Sequence, residues 1–142
     1  MQTIPRRWNV QVEGICWLPR MIDKARMSAN GALGAYLIGN SPVDKALMRR
    51  MNVTTQDFVR IAVDHTDDAA VLAALRARPG FDEARVQRWA GRFTVRYRLF
   101  IRLWDLDEGY ARPTFLQRLA IGAYRRVERF FSALVRVISP AP

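Results

Sequence analysis

Four helix-start signals punctuate the middle of this 142-residue chain, and they restrict it to short helices. Ser41-Pro42 with Asp44 reads as a cap, a proline in the first helical turn and an acid that satisfies the free amides there. Thr54 or Thr55 opens the next helix, Thr66-Asp67-Asp68 another, and Asp82 one more after the clear break at Pro79-Gly80. Apolar residues follow at helical spacing: Phe58, Val59, Ala62 and Val63, then Val71, Leu72 and Leu75. Upstream, Pro19 suits the start of a helix whose stripe is Leu18, Met21, Ile22, Ala25 and Ala29, with Asn30-Gly31 as its stop. Residues 1–13 read as extended or irregular, and Ala32 to Ile38 as a short apolar piece. Trp89, Phe93, Tyr97, Phe100, Ile101 and Trp104 fall on one helical face. Residues 97–103 also alternate like a strand, but no second strand of similar quality is there to pair with them, so helix is the reading. The expected fold class is all-α: a small compact helical domain over residues 1–112 and a long amphipathic helix over 113–142.

That last segment carries the functional expectation. At about 100° per residue, one side collects Leu116, Leu119, Ala120, Ala123, Val127, Phe130, Phe131, Leu134 and Ile138, and the other Arg118, Arg125, Arg129 and Arg136. Thr114 with Gln117 fits a capping box, and Pro113 and Pro140 bracket the run. Such a face needs an apolar partner: the rest of the chain, another protein or a lipid surface.

Charge narrows the choice. The chain carries 23 Lys and Arg against 13 Asp and Glu, a net +10. Residues 1–112 hold 18 basic and 12 acidic groups, or +6; residues 113–142 hold five arginines against Glu128, or +4. The tail is the more basic part per residue, which points to an anionic partner: an acidic lipid surface, an acidic protein or nucleic acid. Only Lys24 and Lys45 are lysines. Because that skew runs through the whole chain, base composition of the gene explains it better than one anion site.

Catalytic chemistry finds little to work with. One cysteine, Cys16, and one histidine, His65, exclude an internal disulfide and a Cys/His metal cluster. His65 is followed by Thr66, Asp67 and Asp68, which read better as a helix start than as partners of a general base. Cys16, beside Trp17, reads as a small buried residue. Asp105, Asp107 and Glu108 lack the longer ligand run and distal glutamate of a calcium loop. Gly31, Gly34 and Gly39 match no phosphate-loop spacing. Arg20, Asp23, Lys24 and Arg26 share one side of the first helix at spacings that let Asp23 pair with Arg20 or Arg26. They are a candidate anion or partner face, with a solvated ion-pair face as the plainer reading. The arginine and aromatic run from Arg85 to Arg102 allows single-stranded nucleic-acid binding, against an arrangement with aromatics inward and arginines in water. No catalytic residue, cofactor or metal is expected.

The run Trp17-Leu18-Pro19-Arg20-Met21-Ile22-Asp23-Lys24-Ala25-Arg26 resembles the opening signature of a small bacterial family, domain of unknown function 5069. Leu33-Gly34-Ala35-Tyr36, Pro42-Val43-Asp44 and Leu103-Trp104-Asp105-Leu106-Asp107-Glu108-Gly109 agree with it. The resemblance covers residues 13–110 and implies a small, mostly helical domain with no established activity and no catalytic residues to carry over. The tail from Arg112 onward has no counterpart in that pattern.

The expected role is therefore a non-enzymatic accessory protein. It would dock through Leu116, Leu119, Val127, Phe130, Phe131, Leu134 and Ile138, with their arginine flank, on an anionic membrane surface or a larger, membrane-associated protein assembly. Nucleic-acid binding through the arginine surface is one alternative, and an enzyme acting on an anionic substrate through Arg20, Asp23 and Lys24 another. The early charges Arg6, Arg7 and Glu13 leave no secretory core, and no uncharged run reads as a membrane span. The expected location is cytoplasmic, or peripheral on the cytoplasmic face of a membrane.

Overall fold

A computed structural model describes residues 4–112, together with Thr114, Leu119, Gly122, Ala123, Arg126 and Val127. Of the expected docking residues, Leu116, Arg118, Arg125, Arg129, Phe130, Phe131, Leu134, Arg136 and Ile138 lie outside the described residues. The described residues form a two-residue hairpin, β1 (Gln11–Val12) and β2 (Ile15–Cys16), followed by α1 (Leu18–Ala29), α2 (Pro42–Met51), α3 (Thr55–Asp64), α4 (Asp68–Arg76), α5 (Glu83–Gly91), α6 (Phe93–Arg96) and α7 (Arg98–Asp107). The fold is mostly helical. The chain divides into two compact units, Met1–Phe93 and Thr94–Pro142.

Helix boundaries follow local chemistry. The side chains of Ser41, Thr54, Asp67 and Asp82 each accept a hydrogen bond from the backbone N–H three residues on. Asp44, Asp57, Asp68 and Glu83 add a negative charge in the first turn, where the helix dipole favours it. Each such cap contributes about 1 kcal/mol. α2 ends on Asn52 in the left-handed region, which asparagine tolerates, and the Asn52 side chain donates to the carbonyl of Pro79.

In the first unit α1 packs on α3 and on β1, α2 on α5, α3 on α4, and β2 on α5. Ile15, Leu18, Met21, Ile22, Ala25, Leu47, Met51, Phe58, Ala62, Val71, Leu72, Leu75, Val86 and Phe93 are fully buried. The larger aliphatic and aromatic side chains among them contribute about 1.5–3 kcal/mol each.

Several expectations are corrected. Residues 1–13, expected to be extended or irregular, end in an extended strand that enters a hairpin: Glu13 and Gly14 both take positive φ, which closes a tight antiparallel turn with Val12 opposite Ile15. Val63 and Ala29 face water. The single helical face from Trp89 to Trp104 is broken at Arg92 and Tyr97, giving three helices. Trp89 and Phe93 are buried, whereas Phe100 is exposed. Residues 98–103 are helical, so the strand alternative for that stretch falls.

Candidate functional site

α1 is buried on both sides. Besides its apolar stripe, Arg20, Asp23 and Lys24 are all buried, so the water-facing ion pairs that helical spacing predicts are enclosed instead. Their partners come from distant parts of the chain. Lys24 and Asp44 form an ion pair at 2.6 Å, with side chains only 4% and 0% exposed. Lys24 Nζ donates to both carboxylate oxygens of Asp44, Trp17 Nε1 donates to Oδ1 at 2.8 Å, and the Gly39 N–H donates to Oδ2 at 3.0 Å.

Those four bonds match the roughly four lone-pair positions of a carboxylate. Asp44 is thus saturated from within the chain. It holds α1, α2, the 36–39 loop and Trp17 together.

Trp17 is the N-cap of α1 and has φ 68°, a left-handed conformation unusual for a bulky residue. Such a conformation persists only where its surroundings over-determine it. Here its N–H donates to the carbonyl of Trp8 and its ring carries Lys24 on one contact and Arg20 on another, each 5.3 Å from the ring centre. Phe93 packs against Trp17, Trp8 and Trp89, the last edge-on at 5.2 Å.

The N-terminal segment is fastened to the same helix. Arg6 bridges Asp23 and Asp68 at 2.9 and 2.6 Å, and its own N–H donates to Asp23. Burial opposes the Arg6 charge, but the hydrogen bonds to Asp68 and Asp23 outweigh it and hold the guanidinium above its ordinary value. Arg20 donates to the carbonyls of Pro5 and Arg6 and lies over the Tyr36 ring. Arg26 reaches the carbonyls of Ala62, His65 and Thr66, where α3 ends and the turn to α4 begins.

The candidate face on α1 therefore converges as an internal hub, and its cationic groups are turned toward their own chain. Sequence reasoning missed Arg6, Asp68 and the wider role of Asp44. These partners lie 17 to 62 residues from the groups they meet, beyond any helical spacing.

Other candidates resolve simply. His65 Nδ1 lies 2.9 Å from the Ile61 carbonyl, which can only accept, so that nitrogen carries the proton and the ring caps the end of α3. Among the described residues, no three His, Cys, Asp or Glu side chains gather as a metal site. Cys16 is buried, its Sγ 3.8 Å from the Ala90 carbonyl, and burial pushes its thiol up to about 11. Only the thiolate is a nucleophile, so at neutral pH the native thiol should react with an aromatic disulfide reagent at least about a hundredfold more slowly than in urea-unfolded chain. Equal rates in the two states would contradict this burial.

A different surface lies in the second unit. Val95 is 81% and Leu99 78% exposed, and Phe100 beside them is half exposed. At about 100° per residue Leu99, Phe100, Leu103 and Trp104 share one face of α7. Phe100 and Trp104 stack one turn apart, ring centres 5.9 Å apart. Arg96, Arg98 and Arg102, close to these residues along the chain, are all exposed. Among the described residues, none of them has a hydrogen-bond or ion-pair partner.

A family model described as a domain of unknown function, DUF5069, matches residues 2–112. The chain belongs to the DUF5069 family. The match spans the α1 hub, with Trp17, Arg20, Asp23, Lys24 and Asp44, and also the Val95–Trp104 surface; residues 113–142 lie beyond it. No curated protein and no solved structure matches this DUF5069 chain.

Proposed function

We propose that this DUF5069 protein is a non-enzymatic accessory protein that docks through its basic amphipathic C-terminal segment on an anionic membrane surface, alone or within an assembly held there. The observation that carries the reading is the exposure of the tail's described apolar residues. Leu119 and Val127 are both helical, lie on the same side of the sequence stripe, and are 61% and 52% exposed. Apolar residues left open to water, in a segment whose sequence pairs an apolar stripe with arginines, fit a helix that lies in a headgroup interface. Among the described residues no helix is long and apolar enough to cross a membrane.

The α1 hub supports the same reading from the other side. Arg20 and Lys24 are buried and donate to groups of their own chain, which speaks against them as ligands for an anionic substrate. Nucleic-acid binding gains less: two aromatics of the basic run, Trp89 and Phe93, are buried and unavailable for stacking on bases.

Replacing Phe130 and Phe131 by serine in the full chain should weaken co-sedimentation with phosphatidylglycerol-containing vesicles by at least about a hundredfold, given about 1.5–3 kcal/mol per large side chain withdrawn from an apolar phase. The circular dichroism melt should stay that of the parent. Undiminished binding would remove the tail from the docking surface.

A further inference from the structure

We propose that Val95, Leu99 and Phe100, rimmed by Arg96, Arg98 and Arg102, form a second membrane-contact surface that settles into the interface of an anionic phospholipid bilayer. The inference rests on the membrane-surface reading but assigns it to residues inside the family domain, separate from the tail.

Three observations converge. First, the exposed side chains are the wrong ones for water: two aliphatic residues about four-fifths exposed, with a half-exposed phenylalanine next to them. Three large apolar side chains left open to water within six residues are the kind of surface that marks an interaction site. Second, its border is of one sign. From Ala84 to Trp104 the chain has six arginines and no acidic residue, and the three that border the patch are exposed with no partner among the described residues. Exposed guanidinium groups with no counter-charge among the described residues, in the same short stretch as exposed apolar side chains, complement a surface whose own charges are phosphates and whose interior is hydrocarbon. Third, the helix is oriented for it. α7 has no acidic residue in its first turn, and Asp105, Asp107 and Glu108 come only where it ends, so the end nearest the patch is the positive one.

The chemistry of the patch separates lipid from other occupants. Valine and leucine at its most exposed points have no flat face for a base, and the nearest aromatic pair, Phe100 and Trp104, is already stacked on itself. Nucleic acid would use the arginines and gain nothing from Val95 and Leu99.

The test uses the full chain and vesicles of phosphatidylcholine with and without phosphatidylglycerol. The parent should bind only the phosphatidylglycerol vesicles. Leu99→Ser with Phe100→Ser should weaken that binding more than about tenfold. Arg96→Gln, Arg98→Gln and Arg102→Gln together should weaken it about a hundredfold, since each arginine near such a surface contributes about a factor of five. All five are solvent-facing positions, and thermal melts of both variants should overlay the parent. If the serine variant binds as tightly as the parent while Phe130→Ser with Phe131→Ser does not, the inference fails and the tail-docking reading stands. If the parent binds neither kind of vesicle, both fail. Binding of a single-stranded oligonucleotide that the arginine variant loses and the serine variant keeps would assign the rim to nucleic acid and overturn the proposal. So would a parent dimer that the serine variant dissolves to monomer, because the patch would then belong to a second copy of the chain.

Discussion

Asp44→Ala should cost this domain about 3–5 kcal/mol, because it leaves the Lys24 ammonium buried without its counter-charge. Typical domains are stable by only about 5–15 kcal/mol, so the substitution should remove much of the native population. The loss is compounded: the Trp17 indole N–H and the Gly39 backbone N–H both donate to Asp44 and would be stranded. Asp44→Asn keeps an acceptor oxygen and should cost less than alanine. Lys24→Met combined with Asp44→Asn removes the stranded charge while keeping an acceptor for Trp17 or Gly39, and should recover at least about a third of the loss. Urea unfolding followed by tryptophan fluorescence measures all three. Asp44→Ala within about 1 kcal/mol of the parent would mean the pair is not the keystone its burial and its four bonds imply.

Gly39→Ala should destabilise by about 3–5 kcal/mol through two additive faults. Gly39 has φ 75°, in the left-handed region that a Cβ disfavours. That Cβ would also meet Thr55, overlapping Oγ1 most closely and lying 2.6 Å from Cγ2 and 2.9 Å from Cβ. Thr55 is the first residue of α3, and its branched side chain has little room to turn away. Any shift of the loop to relieve the clash pulls the Gly39 N–H off Asp44, so the damage reaches the hub. Adding Thr55→Ala should recover the part of the loss due to Oγ1 and Cγ2 and leave the parts due to the backbone and to the Cβ of residue 55. The same unfolding experiment reads this: a single variant within about 1 kcal/mol of the parent would show that the 39–55 approach relaxes freely.

Which features could be foreseen follows from the range of the forces involved. The cap residues Ser41, Thr54, Asp67 and Asp82 act over three residues, so the sequence displays both partners and the starts of α2 to α5 were legible. The apolar stripes of α1 and α4 were legible for the same reason. The polar side of α1 was not. Lys24 meets Asp44 across 20 residues and Arg6 meets Asp68 across 62, and nothing local marks either as half of a pair. Asp44 was further disguised, because its role as the first-turn acid of α2 was a sufficient explanation of its presence. The hairpin was missed because strands of two residues are too short to show alternation. The α7 surface lies at the other limit: the sequence shows that a face exists, but whether Leu99 and Phe100 are covered depends on packing.

The most direct test of the account is the partitioning of the unmodified full chain between buffer and vesicles as salt is raised. An interface contact built from arginine rims around apolar centres should bind phosphatidylglycerol-containing vesicles, ignore pure phosphatidylcholine, and weaken steeply as the Debye length shrinks from about 10 Å at 0.1 M toward about 3 Å at 1 M. Equal affinity for both vesicle types, or no association with either at low salt, would contradict it.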